Sequence, residues 1–132
     1  MTRNAQQPIA RWLAPVVADL GCVLVFAFAG KTSHEANESD WVVLAIAWPF
    51  ALAVALVHGG LVLRGRQTRR VWPEGAAVLA VTYLLGMLLR VASGRGIAAG
   101  FLVVAVLFLA LTMLGWRGIV QVALSRRTSR AP

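Results

Sequence analysis

The sequence contains few charged residues, and acidic residues are fewer than basic ones. Of its 132 residues, 14% are charged and only five are Asp or Glu. Soluble globular domains carry about 25% charged and about 45–50% apolar residues, whereas 59% of this sequence is hydrophobic. The composition therefore excludes an ordinary soluble domain. It indicates a single membrane domain over residues 1–132, with no room for a separate soluble catalytic module.

Residues that carry metal and redox chemistry are also few. Cys22 is the only cysteine, which excludes an intrachain disulfide, a CxxC redox pair and a Cys-rich zinc site. The two histidines, His34 and His58, are expected at opposite faces of the membrane, so we expect no metal ion and no cofactor. The sequence has no complete catalytic set and favours a protein that is not an enzyme. An enzyme acting on a lipid, with His34 as base and Arg90 as phosphate clamp, stays open as an alternative.

Long apolar runs dominate the sequence instead. Four of them reach the roughly 20 residues that a helix needs to cross a bilayer core of about 30 Å. Because backbone amides inside lipid must be hydrogen-bonded within their own segment, each run is predicted to be a helix. The predicted fold is therefore an all-α integral membrane bundle of four transmembrane helices. These helices are expected at about residues 13–30, 41–63, 73–91 and 97–116, followed by a basic tail at about 122–132.

The basic residues are distributed unevenly around the four runs. Ten of the 13 Lys and Arg residues fall in the N-terminus, the second loop and the C-terminal tail, and three fall in the other two loops. The positive-inside rule then predicts a multi-pass protein of the plasma membrane with both termini in the cytoplasm. We expect the lipid bilayer, and not nucleic acid, as the partner of these charges. A signal peptide cleaved after Ala27-Phe28-Ala29 is an alternative for the first run, but Asp19 interrupts that run.

Asp19 is the first polar residue that the bilayer penalises. It lies inside the first run, where an unpaired carboxylate is costly. His58 and Arg117 are expected at a similar depth on the cytoplasmic side, so the three residues form a candidate proton or ion site. The alternative is a structural Asp19–Arg117 or Asp19–His58 pair that fixes the packing of the helices.

A second polar cluster follows the first run on the opposite side. This candidate ligand-binding set consists of Lys31, Ser33, His34, Glu35 and Arg90. Such groups could hold an anion, relay protons or bind a substrate headgroup. The simpler alternative is a salt bridge between Glu35 and Arg90, with Arg90 reaching toward the interface. Tyr83, Gly86 and Arg90 are spaced i, i+3 and i+7, which predicts that Gly86 leaves room for Arg90.

Four short motifs occur in order on the four runs. They are Phe26–Glu35 (FAFAGKTSHE), Trp48–Phe50 (WPF), Val81–Arg90 (VTYLLGMLLR) and Leu114–Arg117 (LGWR). Over roughly residues 14–117 this pattern resembles a bacterial and archaeal family of small four-helix membrane proteins, domain of unknown function 3054. The resemblance implies a membrane location, a four-helix fold and an outward-facing polar pocket. It implies no particular activity.

Functions of different classes fit these features. One is a binding or transport protein whose outward-facing polar pocket takes an ion or a small polar ligand. The alternative is an accessory or structural subunit of a larger membrane complex. Because four helices of this length pack around their own side chains, conduction would require a homo-oligomer. A small multidrug antiporter is a third possibility, but the bias of the basic residues disfavours the antiparallel dimer that such proteins can form.

Overall fold

The computed structural model describes residues 6–34 and 39–130 of the chain, with side chains described at 9–32 and 39–130. The regular structure of these residues is helical. It consists of α1 (Gln6–His34), α2 (Trp41–Leu63), α3 (Ala76–Ala92), α4 (Ala99–Leu109) and α5 (Gly115–Thr128).

Four helical segments are long and apolar enough to cross a membrane. They cover Ile9–Thr32, Trp41–Leu63, Val71–Ala92 and Ala99–Thr128. The last segment combines α4 and α5, which are joined without a break by a wide π-helical turn at Ala110–Leu114. The predicted all-α fold with four membrane-length helices is therefore confirmed.

The helices extend beyond several of the predicted boundaries. The first helix was predicted over residues 13–30 but runs from Gln6 to His34, and the last continues through most of the predicted tail to Thr128. Apolar runs mark the part of a helix that lipid can surround, whereas backbone hydrogen bonds continue through polar residues such as Arg and Gln that also favour helices. At the third run, α3 begins only after a short turn at Val71–Gly75, where Trp72 has an extended backbone and precedes the ring of Pro73.

Successive membrane-length segments run in opposite directions, which gives the bundle two distinct ends. The terminal end carries the start of α1, the end of α5 and residues 64–70, which connect α2 to the third segment. The loop end carries the end of α1, the start of α2 and residues 93–98, which connect α3 to α4. The helix α2 packs against both α1 and α3.

Four phenylalanine side chains form an aromatic cluster in the core. The ring of Phe26 lies 5.4 Å from that of Phe50 in an edge-to-face arrangement, and 5.8 Å from the rings of Phe101 and Phe108. Such tilted and edge-to-face contacts are the favoured geometries of aromatic pairs. Phe26 follows Asp19 by about 10 Å along α1 toward the loop end. The aromatic cluster therefore fills the core on the loop-end side of Asp19.

Gly86 allows one of these rings to approach α3 closely. A Cβ atom at position 86 would overlap the ring of Phe50. The expectation that Gly86 leaves room for Arg90 is therefore corrected, because Phe50 occupies that space. Helical spacing identifies residues on a shared face, but it does not show which neighbouring side chain packs there.

We expect Gly86→Ala to destabilise the protein, because the added methyl group must displace the buried ring of Phe50. The expected loss is about 1–3 kcal/mol of unfolding free energy, as is usual for overpacking a core. Gly59→Ala is the matched control, since a Cβ atom at Gly59 meets nothing within 4 Å. Thermal unfolding in detergent measures both variants, and equal midpoints would contradict the assigned packing.

Candidate functional site

Asp19 forms a buried, two-pronged ion pair with Arg117. The Arg117 Nη1 donates to Asp19 Oδ1 over 2.8 Å, and Nη2 donates to Oδ2 over 2.6 Å. Both side chains are 0% exposed. The start of α1 at Gln6 places Asp19 about 20 Å along that helix. A buried charge pair of this kind is tolerated only when its geometry satisfies both partners.

Two further donors complete the hydrogen bonds of the carboxylate. The His58 Nε2 lies 2.7 Å from Asp19 Oδ2, and the indole Nε1 of Trp116 donates to Oδ1 over 2.9 Å. Each oxygen of Asp19 therefore accepts two hydrogen bonds, which is the full capacity of a carboxylate. We refer to Asp19, His58, Trp116, Arg117 and Thr68, described next, as the Asp19 network.

Thr68 connects this network to the polypeptide between α2 and the third segment. Its hydroxyl lies 3.2 Å from His58 Nδ1, and its carbonyl oxygen accepts a hydrogen bond of 2.8 Å from Arg117 Nε. The carbonyl of Met113, in the wide turn before α5, accepts another 2.8 Å bond from Arg117 Nη1. The Asp19 network thus joins α1, α2, the fourth segment and the connection at the terminal end.

Gly75 gives the Arg117 side chain its space. A Cβ atom at position 75 would lie 2.8 Å from Arg117 Cδ and 2.5 Å from the carbonyl oxygen of Arg70. Any larger residue at this position would overlap the Arg70 carbonyl and the stem of the Arg117 side chain, so one of them would have to move. The short turn before α3 therefore shapes the site although it contributes no hydrogen bond to the carboxylate.

The sequence prediction grouped Asp19, His58 and Arg117, and the structure places both His58 and Arg117 within hydrogen-bonding distance of Asp19. It leaves open whether the group is a proton site or a structural pair. Thr68 and Trp116 were missed. Trp116 stands at the end of the fourth apolar run, where an aromatic residue is usually interfacial, and its position next to Arg117 was the available signal. Thr68 lies in a connection without helical spacing, so no sequence pattern could place it beside His58.

The protonation chemistry of this network follows from its donors and acceptors. Because the Asp19 carboxylate only accepts hydrogen bonds, His58 Nε2 must carry a proton. The Thr68 hydroxyl can donate to an unprotonated Nδ1 or accept from a protonated one, so both charge states of His58 fit the same positions of the heavy atoms. No group of three His, Cys, Asp or Glu residues within 6–34 and 39–130 could hold a metal ion.

The predicted ligand-binding set at the loop end is only partly described. Lys31 Nζ donates to Asp40 Oδ1 over 2.7 Å, and this hydrogen bond and the positive charge of Lys31 lower the pKa of the exposed Asp40. Glu35 lies outside the described residues, as do the side chains of Ser33 and His34. The joint ligand-binding role of these residues therefore stays a prediction.

Arg90 is half-buried at the C-terminal end of α3. Its Nε donates to the carbonyl oxygen of Gly96 over 3.3 Å, and its guanidinium carbon lies 4.1 Å from the ring centroid of Phe101. Nearby, the Tyr83 hydroxyl donates to the carbonyl of Leu102 over 3.2 Å. These contacts tie α3 to the start of α4 at the loop end.

An open groove of about 620 Å³ runs along α5, on the half of the molecule toward the terminal end. Its floor is apolar and includes Gly118, Ile119 and Val122, and Arg126 and Arg130 lie along it. None of its described lining residues belongs to the predicted ligand-binding set. The groove is therefore separate from the pocket that the sequence predicted at the loop end.

Comparison with known proteins identifies the family. Residues 16–120 match the family described as a protein of unknown function, DUF3054. The chain belongs to this family. The resemblance seen in the sequence motifs is thereby confirmed, and the matched region contains the whole Asp19 network as well as Lys31 and Arg90. No curated protein and no solved structure matches the chain.

We expect the contributions of Asp19 and Arg117 to the unfolding free energy to depend strongly on each other. Arg117→Met leaves Asp19 ionised without its cation, and the expected cost is about 3–5 kcal/mol of unfolding free energy. Asp19→Leu combined with Arg117→Met removes both charges, so its cost should be well below the sum of the two single variants. Unfolding in detergent is measured for wild type, Asp19→Leu, Arg117→Met and the double variant, which together form a double-mutant cycle. Additive costs would show that the ion pair does not hold the segments together.

Proposed function

We propose that this protein is a small proton-dependent transport protein of the plasma membrane, with the Asp19 network as its proton site. The position of His58 carries the proposal: its imidazole is only 2% exposed, yet it contacts Asp19 through one nitrogen and Thr68 through the other. Histidine changes its charge near neutral pH more readily than other side chains. Ionisable groups inside membrane segments also commonly mark proton or ion pathways.

The charge balance of the network supplies a mechanism. At rest, the negative Asp19 and the positive Arg117 cancel, and His58 is neutral. A proton bound at His58 Nδ1 adds one uncompensated positive charge to a site closed to water, where such a charge is costly. The excess charge is relieved when Arg117 leaves Asp19 for the hydrated terminal end, which opens the network. Loss of the proton restores the ion pair and closes it again.

Protons reach the network from the terminal end in this mechanism. Glu74, in the turn that precedes α3, pairs with Arg66 through Oε1 over 3.3 Å, and its buried Oε2 has no hydrogen-bond partner among the described residues. A carboxylate with one unused oxygen can accept a proton. Its neighbour Gly75 contacts Arg117 directly. On the other side of Asp19 the aromatic cluster fills the core, so exchange with the loop end requires a second conformation.

We expect the purified protein to move protons in vesicles that contain a trapped pH-sensitive dye. The driving force is varied between a pH gradient, a sodium gradient and a gradient of inorganic phosphate, each with and without a potassium diffusion potential. His58→Gln should reduce the flux at least about tenfold. The reason is that glutamine can still donate a hydrogen bond to Asp19 but cannot take up a proton.

Thr82→Val is the matched control for this experiment. Thr82 is also fully buried, but its hydroxyl has no partner among the described residues and is not part of the network. Its replacement should leave the flux unchanged. Wild-type vesicles that move no protons under any of the three gradients would contradict the proposal, and so would equal flux through wild type and His58→Gln.

A structural role in a larger membrane complex is the second candidate. It is favoured by one observation: the Asp19 carboxylate already accepts four hydrogen bonds, which is what a permanent clamp between helices requires. The two functions differ in their outcomes. A clamp predicts no flux, stability that does not change with pH near neutrality, and partner proteins retained during purification in mild detergent.

We also propose that both termini face the cytoplasm. The terminal end carries the basic connection at 64–70 and the Arg-rich end of α5, and such charges are retained on the cytoplasmic side. A green fluorescent protein fused after Pro132 should therefore fluoresce, and alkaline phosphatase at the same position should be inactive. The reverse pair of results would overturn this orientation, and a fusion within 93–98 should give the opposite pattern as its control.

A further inference from the structure

The guanidinium of Arg90 is held in place at the loop end by two contacts, and neither of them neutralises its charge. One is the hydrogen bond from Nε to the carbonyl oxygen of Gly96, 3.3 Å long, and the other is the face of the Phe101 ring at 4.1 Å. A neutral carbonyl and an aromatic ring orient a guanidinium without cancelling its charge. The outer edge of the group, with Nη1 and Nη2, is not used by either contact.

One nitrogen of that edge has no acceptor. Arg90 Nη1 is shielded from solvent and donates to no group in the described part of the chain. The positive charge of Arg95 is close enough to act on Arg90, so it adds to the unbalanced positive charge at the loop end. Asp40, the acidic residue described at this end, is already paired with Lys31. A shielded guanidinium nitrogen without an acceptor is unfavourable, so the site favours a negatively charged partner.

We propose that Arg90 binds a phosphate group at the loop end. The planar edge of a guanidinium matches two oxygens of a phosphate, and this two-pronged pairing is stronger and more specific than contact with a point charge. Arg90 is two residues from the end of the third membrane-length segment, Val71–Ala92, which is the depth at which lipid headgroups lie. The phosphate belongs either to an anionic phospholipid or to a free phosphate ion.

This inference is independent of the proton site, because Arg90 makes no contact with the Asp19 network. It also differs from the salt bridge with Glu35 that the sequence left open. A phosphate, unlike the Glu35 carboxylate, comes from outside the chain. Its binding can therefore be measured directly on the purified protein.

The experiment has two arms that separate the sources of phosphate. In the first, delipidated protein is mixed with one equivalent of phosphatidylglycerol in neutral detergent, and native mass spectrometry measures the fraction that retains the lipid. In the second, calorimetry measures the binding of inorganic phosphate to the same delipidated protein. In whichever arm the wild type shows binding, we expect Arg90→Gln to weaken that binding by about tenfold or more, since charge-assisted hydrogen bonds are lost.

Arg64→Gln is the matched control, because Arg64 is an exposed arginine at the terminal end. It should leave the binding unchanged. Arg90→Lys covers the case in which Arg90→Gln fails to fold: it keeps the charge, and it should weaken binding severalfold because an ammonium group lacks the planar edge. Retention of lipid alone assigns the site to a phospholipid, and binding of phosphate alone assigns it to the free ion. Wild type that binds neither, or equal losses in Arg64→Gln and Arg90→Gln, would overturn the inference.

Discussion

The carboxylate of Asp19 accepts four hydrogen bonds in a place that water does not reach. Removing a carboxylate and a guanidinium from water costs more than their attraction returns unless every remaining donor and acceptor is satisfied. The surrounding structure meets that condition in several separate ways. Gly75 leaves room for the Arg117 side chain, and the wide turn at Ala110–Leu114 presents the carbonyl of Met113. The Thr68 backbone reaches inward to accept from the same guanidinium.

Much of this architecture could be predicted from the sequence, because a lipid bilayer constrains the length and the backbone hydrogen bonding of any segment that crosses it. Apolar runs of sufficient length identify the four segments, and costly polar residues at matching depths identify Asp19, His58 and Arg117 as one group. The helix ends could not be predicted in the same way, since backbone hydrogen bonding continues beyond the apolar run, as α5 shows by reaching Thr128. Thr68 was also beyond prediction, because a residue in a connection has no periodic neighbours that would place it.

Buried charge is balanced at the terminal end of the bundle but not at the loop end. At the terminal end the buried charges of Asp19 and Arg117 cancel within the network, and the imidazole of His58 completes its hydrogen bonds. At the loop end Arg90 is oriented by a carbonyl and an aromatic ring, and no described acidic group balances it. The aromatic cluster around Phe26 lies between these ends and excludes water from the core. The described conformation therefore separates the two polar regions by packed apolar side chains, and exchange of a proton or ligand between them requires the helices to move.

The saturation of Asp19 also limits which ligand can act on the network. A metal cation cannot bind the carboxylate without displacing one of its four donors, and a neutral ligand has no unused acceptor there to contact. In the proposed mechanism a proton differs from these ligands, because it adds at His58 Nδ1, where the Thr68 hydroxyl can turn from donor to acceptor. Binding of the proton itself requires no heavy atom to move, and the altered charge balance then drives Arg117 away from Asp19 in that mechanism. Selectivity for protons over other cations would then follow from the completeness of the hydrogen bonds, without any need for a narrow pore.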